Sequence, residues 1–128
     1  EFIEVRVTKG GDVSDLWLTL YNGSNGTSYA DYVMPGAPNG SDDNYDYYVV
    51  PTPGLQNGSP DAIALTNLVT VVEFLSYEGT MAATDGPAAG MTSTDVGVAE
   101  AGNALETSSF TVKSLYLKDG MSISGTLT

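Results

Sequence analysis

The sequence predicts an all-β domain, a sandwich or barrel of about seven to nine short strands. Three observations carry this. Short apolar runs alternate with polar residues at period two, the pattern of a strand with one buried face. Turn dipeptides such as Asn22-Gly23, Asn25-Gly26 and Asp119-Gly120 separate those runs at roughly the 8–12-residue spacing of such folds. No window of about 11 residues carries helical spacing.

Taken in order, Phe2 to Val7 sets Phe2, Glu4 and Arg6 against Ile3, Val5 and Val7, a strand broken by Gly10-Gly11-Asp12. Leu16 to Tyr21 is a second strand, with Leu16, Leu18 and Leu20 on one face. Tyr29 to Met34 is a third, ended by Pro35 and Gly36. A polar, acidic loop runs from Ala37 to Asp46. Tyr45 to Val50 reads as a strand stopped by Pro51 and Pro53. Asp61 to Leu65 and Val69 to Tyr77 are two more, divided by a turn at Thr66-Asn67. Glu78 to Gly97 reads as a long ordered loop or two very short strands. Ala99 to Thr107 is the one candidate helical turn, weakened by Gly102. Phe110 to Leu117, a turn at Lys118-Asp119-Gly120, and Met121 to Leu127 close the chain. No repeat or linker divides it, so 1–128 reads as one domain.

The 128 residues are 41% hydrophobic, normal for a globular chain and too high for a disordered one. No apolar run of about 18 residues is present to span a bilayer as a helix. The sequence begins at Glu1 without Met and without a signal peptide, as expected of a processed product, a fragment or an incomplete start. Four basic residues, Arg6, Lys9, Lys113 and Lys118, face sixteen acidic ones for a net charge of −12. Such a surface repels phosphate backbones, which argues against direct nucleic-acid binding. Cysteine and histidine are both absent. That removes disulfides, thiol nucleophiles, Cys/His zinc sites and Ser-His-Asp triads together. A disulfide-free domain of this kind fits a bacterial or archaeal exported protein.

Candidate ligating residues lie in the acidic loop. Asp42, Asp43 and Asp46 offer the oxygen ligands that Ca²⁺ prefers, although the spacing is not that of an EF-hand; a solvated loop is the simpler reading. Asp61, Glu78, Asp85, Asp95 and Glu100 supply carboxylates of the kind used in glycoside hydrolysis or metal-dependent cleavage. Nothing in their spacing brings two together, and loop capping explains Asp85 and Asp95 more simply. Asn22, Asn25, Asn39 and Asn57 each open an Asn-X-Ser/Thr sequon, the acceptor for N-glycosylation, but all four sit at Asn-Gly turns. Tyr29, Tyr32, Tyr45, Tyr47 and Tyr48 form a cluster without basic partners. It is a candidate contact face, for carbohydrate or a cell surface, or a set of half-buried sheet residues.

Several blocks together resemble the bacterial lamin-tail-like domain. They are Glu1-Phe2-Ile3-Glu4-Val5, Leu18 to Gly23 (LTLYNG), Leu55 to Leu65 (LQNGSPDAIAL), Phe74 to Gly79 (FLSYEG), Ala83 to Gly97 (ATDGPAAGMTSTDVG) and Ser114 to Leu117 (SLYL). The resemblance implies an immunoglobulin-like antiparallel β-sandwich in an exported, extracellular protein, and no catalytic activity in this module. Family members begin with a further strand that is missing here. The spacing between Asp12 and Trp17 is altered, Tyr29 to Asp46 does not match, and Met121 to Leu127 is an addition. A missing first strand leaves a sheet edge, which proteins rarely leave uncovered. The added last strand is suited to fill it, in the same chain or in a neighbour.

The expected function is therefore that of a non-catalytic extracellular structural protein, a fibre or surface-layer subunit whose partners are copies of itself. The expected pairing interface is Phe2, Ile3, Val5 and Val7 with Met121, Ile123 and Leu127. The alternative is an accessory binding module of a larger secreted nuclease or other exported enzyme. No cofactor is expected beyond a candidate Ca²⁺, and no membrane insertion.

Overall fold

Period-two alternation resolves into two sheets that share one core. The computed structural model describes residues 1–56 and 60–97, with the strand segments 111–112, 121–122 and 125–126. Six strands of six to eight residues form the body: β1 (Phe2–Thr8), β2 (Leu16–Asn22), β3 (Ser28–Val33), β5 (Tyr45–Pro51), β6 (Asp61–Asn67) and β7 (Thr70–Tyr77). Five two-residue strands complete the set: β4 (Gly40–Ser41), β8 (Thr94–Asp95), β9 (Thr111–Val112), β10 (Met121–Ser122) and β11 (Gly125–Thr126). No helix forms among the described residues.

The larger sheet has the order β3-β2-β6-β7-β8, and the smaller β10-β1-β5-β4. Among the described residues, β9 and β11 pair with each other. Every pair is antiparallel except β7–β8, where Leu75 and Ser76 run parallel to Thr94 and Asp95. The expected all-antiparallel pattern is thus broken at one edge, because the long 78–93 connection carries the chain back to the start of β7's final stretch.

Alternate residues from both sheets meet in the central core. Ile3 and Val5 of β1 and Tyr48 and Val50 of β5 face Leu18 and Leu20 of β2, Ile63 and Leu65 of β6, and Leu75 and Tyr77 of β7. Ile3, Val5, Leu18, Leu20 and Ile63 are all 0% exposed. Burying each such aliphatic side chain contributes about 1.5–3 kcal/mol. A second, smaller cluster lies on the opposite side of the large sheet. There Tyr21, Ala62, Ala64 and Phe74 are covered by Met81, Ala83 and Ala88 from the 78–93 loop. Tyr21 and Phe74 meet edge to face at 5.3 Å. This is why β6 is buried at every position from Asp61 to Thr66.

One turn differs from expectation. The β6–β7 hairpin closes at Leu68-Val69, not Thr66-Asn67. Asn67 pairs with Thr70, and a register shift follows Leu65. Thr66 is buried in the sheet and not in a turn. Of the expected late strands, the described residues Thr111–Val112, Met121–Ser122 and Gly125–Thr126 are in strands. Ala99 to Thr107, Lys118 to Gly120 and the rest of Phe110 to Leu117 lie outside the described residues.

Candidate functional site

The acidic loop folds as a tight turn whose carboxylates bond to the protein itself. Asp42 Oδ1 accepts from the Asn44 and Tyr45 N–H groups at 2.8 and 2.7 Å, and Oδ2 accepts from the Tyr47 hydroxyl at 2.5 Å. Asp46 Oδ1 accepts from Ser41 Oγ at 2.6 Å and Oδ2 from Gly10 N at 2.9 Å. The Tyr47 hydroxyl, then the Asn44 N–H, hold the Asp42 carboxyl below its ordinary range. The Ser41 hydroxyl and the Gly10 N–H do the same for Asp46. Lys9 adds a bond from Nζ to the Asp42 carbonyl at 2.8 Å, which ties the loop before β2 to the β4–β5 turn. Asp43 is exposed in that turn. Among the described residues no three acidic side chains converge as a metal-holding group. Asp42 and Asp46 thus act as turn and loop fasteners.

The Asn22 and Asn25 sequons form turns, whereas that of Asn39 runs into strand β4 (Gly40–Ser41). Asn22 Oδ1 accepts from both N and Oγ of Ser24, and Asn25 Oδ1 from N and Oγ1 of Thr27. Asn39 Oδ1 accepts from Val49 N across to β5. Asn57 lies outside the described residues, as does Glu100.

The blocks that carry the family resemblance touch one another. Gly23 N donates to Asp61 Oδ1 at 2.9 Å, so the YNG turn sits on the start of the PDAIAL strand. A Cβ at Gly23 would lie 1.6 Å from the Pro60 carbonyl oxygen. Tyr21 OH donates to the Asp85 carbonyl and accepts from Ala88 N, both at 3.0 Å. Asp85 Oδ1 accepts from Ser28 N at 2.8 Å, and Thr84 N donates to the Gly26 carbonyl. Ser93 Oγ donates to Ser76 Oγ at 2.7 Å and accepts from Met81 N. Gly86, at φ +65°, brings its backbone so close that a Cβ would sit 2.7 Å from Tyr21 OH. These residues seal the outer cluster, with Tyr21 as the anchor. Asp85 and Asp95 bond backbone N–H groups, Asp95 through Gly97 N at 2.9 Å. Burial raises the Tyr21 hydroxyl pKa.

The tyrosines split by face. Tyr48 is buried in the core, while Tyr45 and Tyr47 stand half-buried on the outer face of the small sheet. The Arg6 guanidinium lies 4.1 Å over the Tyr45 ring. Tyr29 OH accepts from Gln56 N at 3.0 Å, and Tyr77 OH donates to the Gln56 carbonyl. The two clamp the 52–56 segment onto one end of the sandwich. Burial pushes the Tyr29 hydroxyl up to about 12 and raises Tyr77 as well.

The expected pairing residues come together only in part. β10 does lie beside β1, antiparallel, with Glu4 opposite Ser122 and Val5 opposite Met121. Ile3 and Val5, however, point into their own core and are not side chains offered to a neighbour. Phe2 is half-buried, and Val7 packs against the core's margin. Ile123 and Leu127 lie outside the described residues. What β1 offers along that edge is its backbone.

One surface feature was not anticipated. The Leu68-Val69 hairpin tip is exposed, Val69 at 90%, and Val33 (77%) and Val72 are exposed as well. Leu68 sits at φ +54°, a conformation suited to Gly or Asn. The only signal in sequence was an apolar dipeptide where turn residues belong.

Comparison with family models, with curated proteins and with solved structures gives no match.

Proposed function

We propose that this domain is a non-catalytic, extracellular structural subunit of the lamin-tail-like kind, and that it associates with copies of itself through edge-strand pairing. The observation that carries the reading is the β10–β1 pair. A two-residue strand from the far end of the sequence occupies the edge of a seven-residue strand at its beginning. An edge that accepts a strand from 116 residues away (Val5 to Met121) accepts the same strand from a neighbouring chain by the same backbone bonds.

The chemistry of the chain supports this over an enzyme. Asp42, Asp46, Asp61, Asp85 and Asp95 each accept hydrogen bonds from the protein's own backbone or hydroxyl groups. The strongly acidic surface suits an extracellular, soluble subunit that assembles when its charge is screened. Deleting Met121 to Thr128 is expected to abolish assembly and to leave the far-ultraviolet circular dichroism of the sandwich largely intact. Assembly unchanged by the deletion, read by light scattering and electron microscopy, overturns the mechanism.

A further inference from the structure

We infer that the apolar end of the large sheet around Trp17 is a second self-contact, separate from the β1 edge, at which two copies meet side chain to side chain. The inference rests on the self-association reading and adds a different surface to it.

The outer face of the large sheet divides in two. Met81, Ala83 and Ala88 of the 78–93 loop cover it at Tyr21, Ala62, Ala64 and Phe74. The row beyond is Val33, Trp17, Thr66 and Val71, directly opposed across β3, β2, β6 and β7 and so on one face. Four strands at about 4.8 Å spacing make this row roughly 14 Å wide. Trp17 and Val71 are half-buried, and Val33 is exposed at the row's end. Among the described residues Trp17, the one tryptophan of the chain, packs in neither core cluster. Past the row the chain turns at Leu68-Val69, both exposed, and Leu68 N is held on the Asp15 carbonyl just before β2. Val72, the extra residue of the β7 bulge, is exposed as well.

Folding does not account for this surface. Leu68 holds φ +54° with its side chain in water, where Gly or Asn closes a turn with less strain. Backbone strain joined to a cluster of exposed apolar side chains marks a contact surface.

Charge identifies the occupant. Each copy carries −12, so two copies repel over most of their surface. The patch is drawn from three uncharged stretches, 16–30, 32–41 and 62–72, with Asp15, Asp31 and Glu73 at their ends. Two copies meet here without setting carboxylate rows against each other. An anionic lipid surface is repelled by the net charge, and a basic partner is drawn to the acidic faces instead. A two-fold contact lays the valines and Trp17 of one copy on the same residues of the other, sheet face to sheet face. A patch this narrow gives a weak, reversible contact that strengthens with salt. Edge pairing joins copies in the plane of a sheet; this contact joins them across its face.

Trp17 reports the contact directly, because the β1 edge belongs to the other sheet. The 128-residue chain is concentrated in salt and followed by sedimentation, tryptophan emission and acrylamide quenching. The expected result is a blue shift and reduced quenching that rise with concentration together with mass. A Val33→Ser, Val69→Asn variant leaves the charge at −12 and is expected to weaken the contact roughly tenfold or more. Assembly in which Trp17 keeps the emission and quenching of the dilute monomer overturns this contact and leaves edge-paired self-association standing. Trp17 shielded equally at every concentration means that the chain covers its own patch, which also overturns it. So does a variant with wild-type circular dichroism and an undiminished Trp17 response. Wild-type chain that stays monomeric under every condition sinks the self-association reading itself, and this inference with it.

Discussion

Tyr21 shows how one side chain joins several stretches of sequence. Its ring packs on Phe74 and its hydroxyl closes the 85–88 turn from both sides. Tyr21→Phe keeps the ring but leaves the Ala88 N–H and the Asp85 carbonyl without that partner. The expected loss is about 1–3 kcal/mol in urea unfolding. Leu68 is the converse case. At φ +54° and 59% exposed, it holds a backbone strain with little burial in return. Leu68→Asn is expected to raise stability by up to ~1 kcal/mol, read as a higher urea midpoint with unchanged slope. Gly23 is fixed by contact with Pro60. Gly23→Ala is expected to cost at least the upper end of the ~1–3 kcal/mol typical of overpacking. Gly36→Ala, where a Cβ meets nothing within 4 Å, is expected to leave the melting temperature nearly unchanged.

At the scale of elements, the strands of the body were legible because one face of each is buried in a shared core. Ile3, Val5, Leu18, Leu20, Ile63 and Leu65 announce themselves by alternation. The outer cluster was not legible in the same way. Its sheet residues include Ala62, Ala64, Thr66 and Ser76, small or polar side chains that give no strong period. Ala62 and Ala64 are covered by Met81, Ala83 and Ala88 of the 78–93 loop, a tertiary event that local pattern does not encode. The β6–β7 turn was misplaced for a related reason: Thr66-Asn67 carries better turn chemistry than Leu68-Val69, and strand pairing overrode it. The acidic loop was legible as a loop but not in its role. Spacing alone does not reveal that the Tyr47 and Ser41 hydroxyls would claim Asp42 and Asp46.

For the whole molecule, the titrating groups set the pH range of stability. The folded-state pKa values of Asp42 and Asp46 lie below their ordinary value of 3.8. Their contribution is present above that value and disappears as pH falls through the depressed folded values. Asp46→Asn is therefore expected to be less stable than wild type at pH 7, with the gap shrinking toward pH 2 in urea titrations. Tyr29 acts at the other end. Its folded pKa is raised from 10.0 to about 12, so its contribution is full below pH 10 and is lost as pH rises toward 12. Tyr29→Phe is expected to show a smaller loss of stability across that window.

The turns at Asn22-Gly23 and Asn25-Gly26 also bear on how the protein ages. Spontaneous deamidation at Asn-Gly requires the glycine nitrogen to attack the preceding carboxamide carbon. Here Gly23 N is held on Asp61 Oδ1 and Gly26 N on the Asn22 carbonyl, while both carboxamide oxygens are bonded two residues onward. The attacking nitrogen and the carboxamide are both restrained by the same bonds that shape the turns. Peptide mapping after prolonged incubation is expected to show slower conversion to aspartate and isoaspartate at both sites in folded protein than in urea. The domain gains chemical durability from turns that the fold already needs.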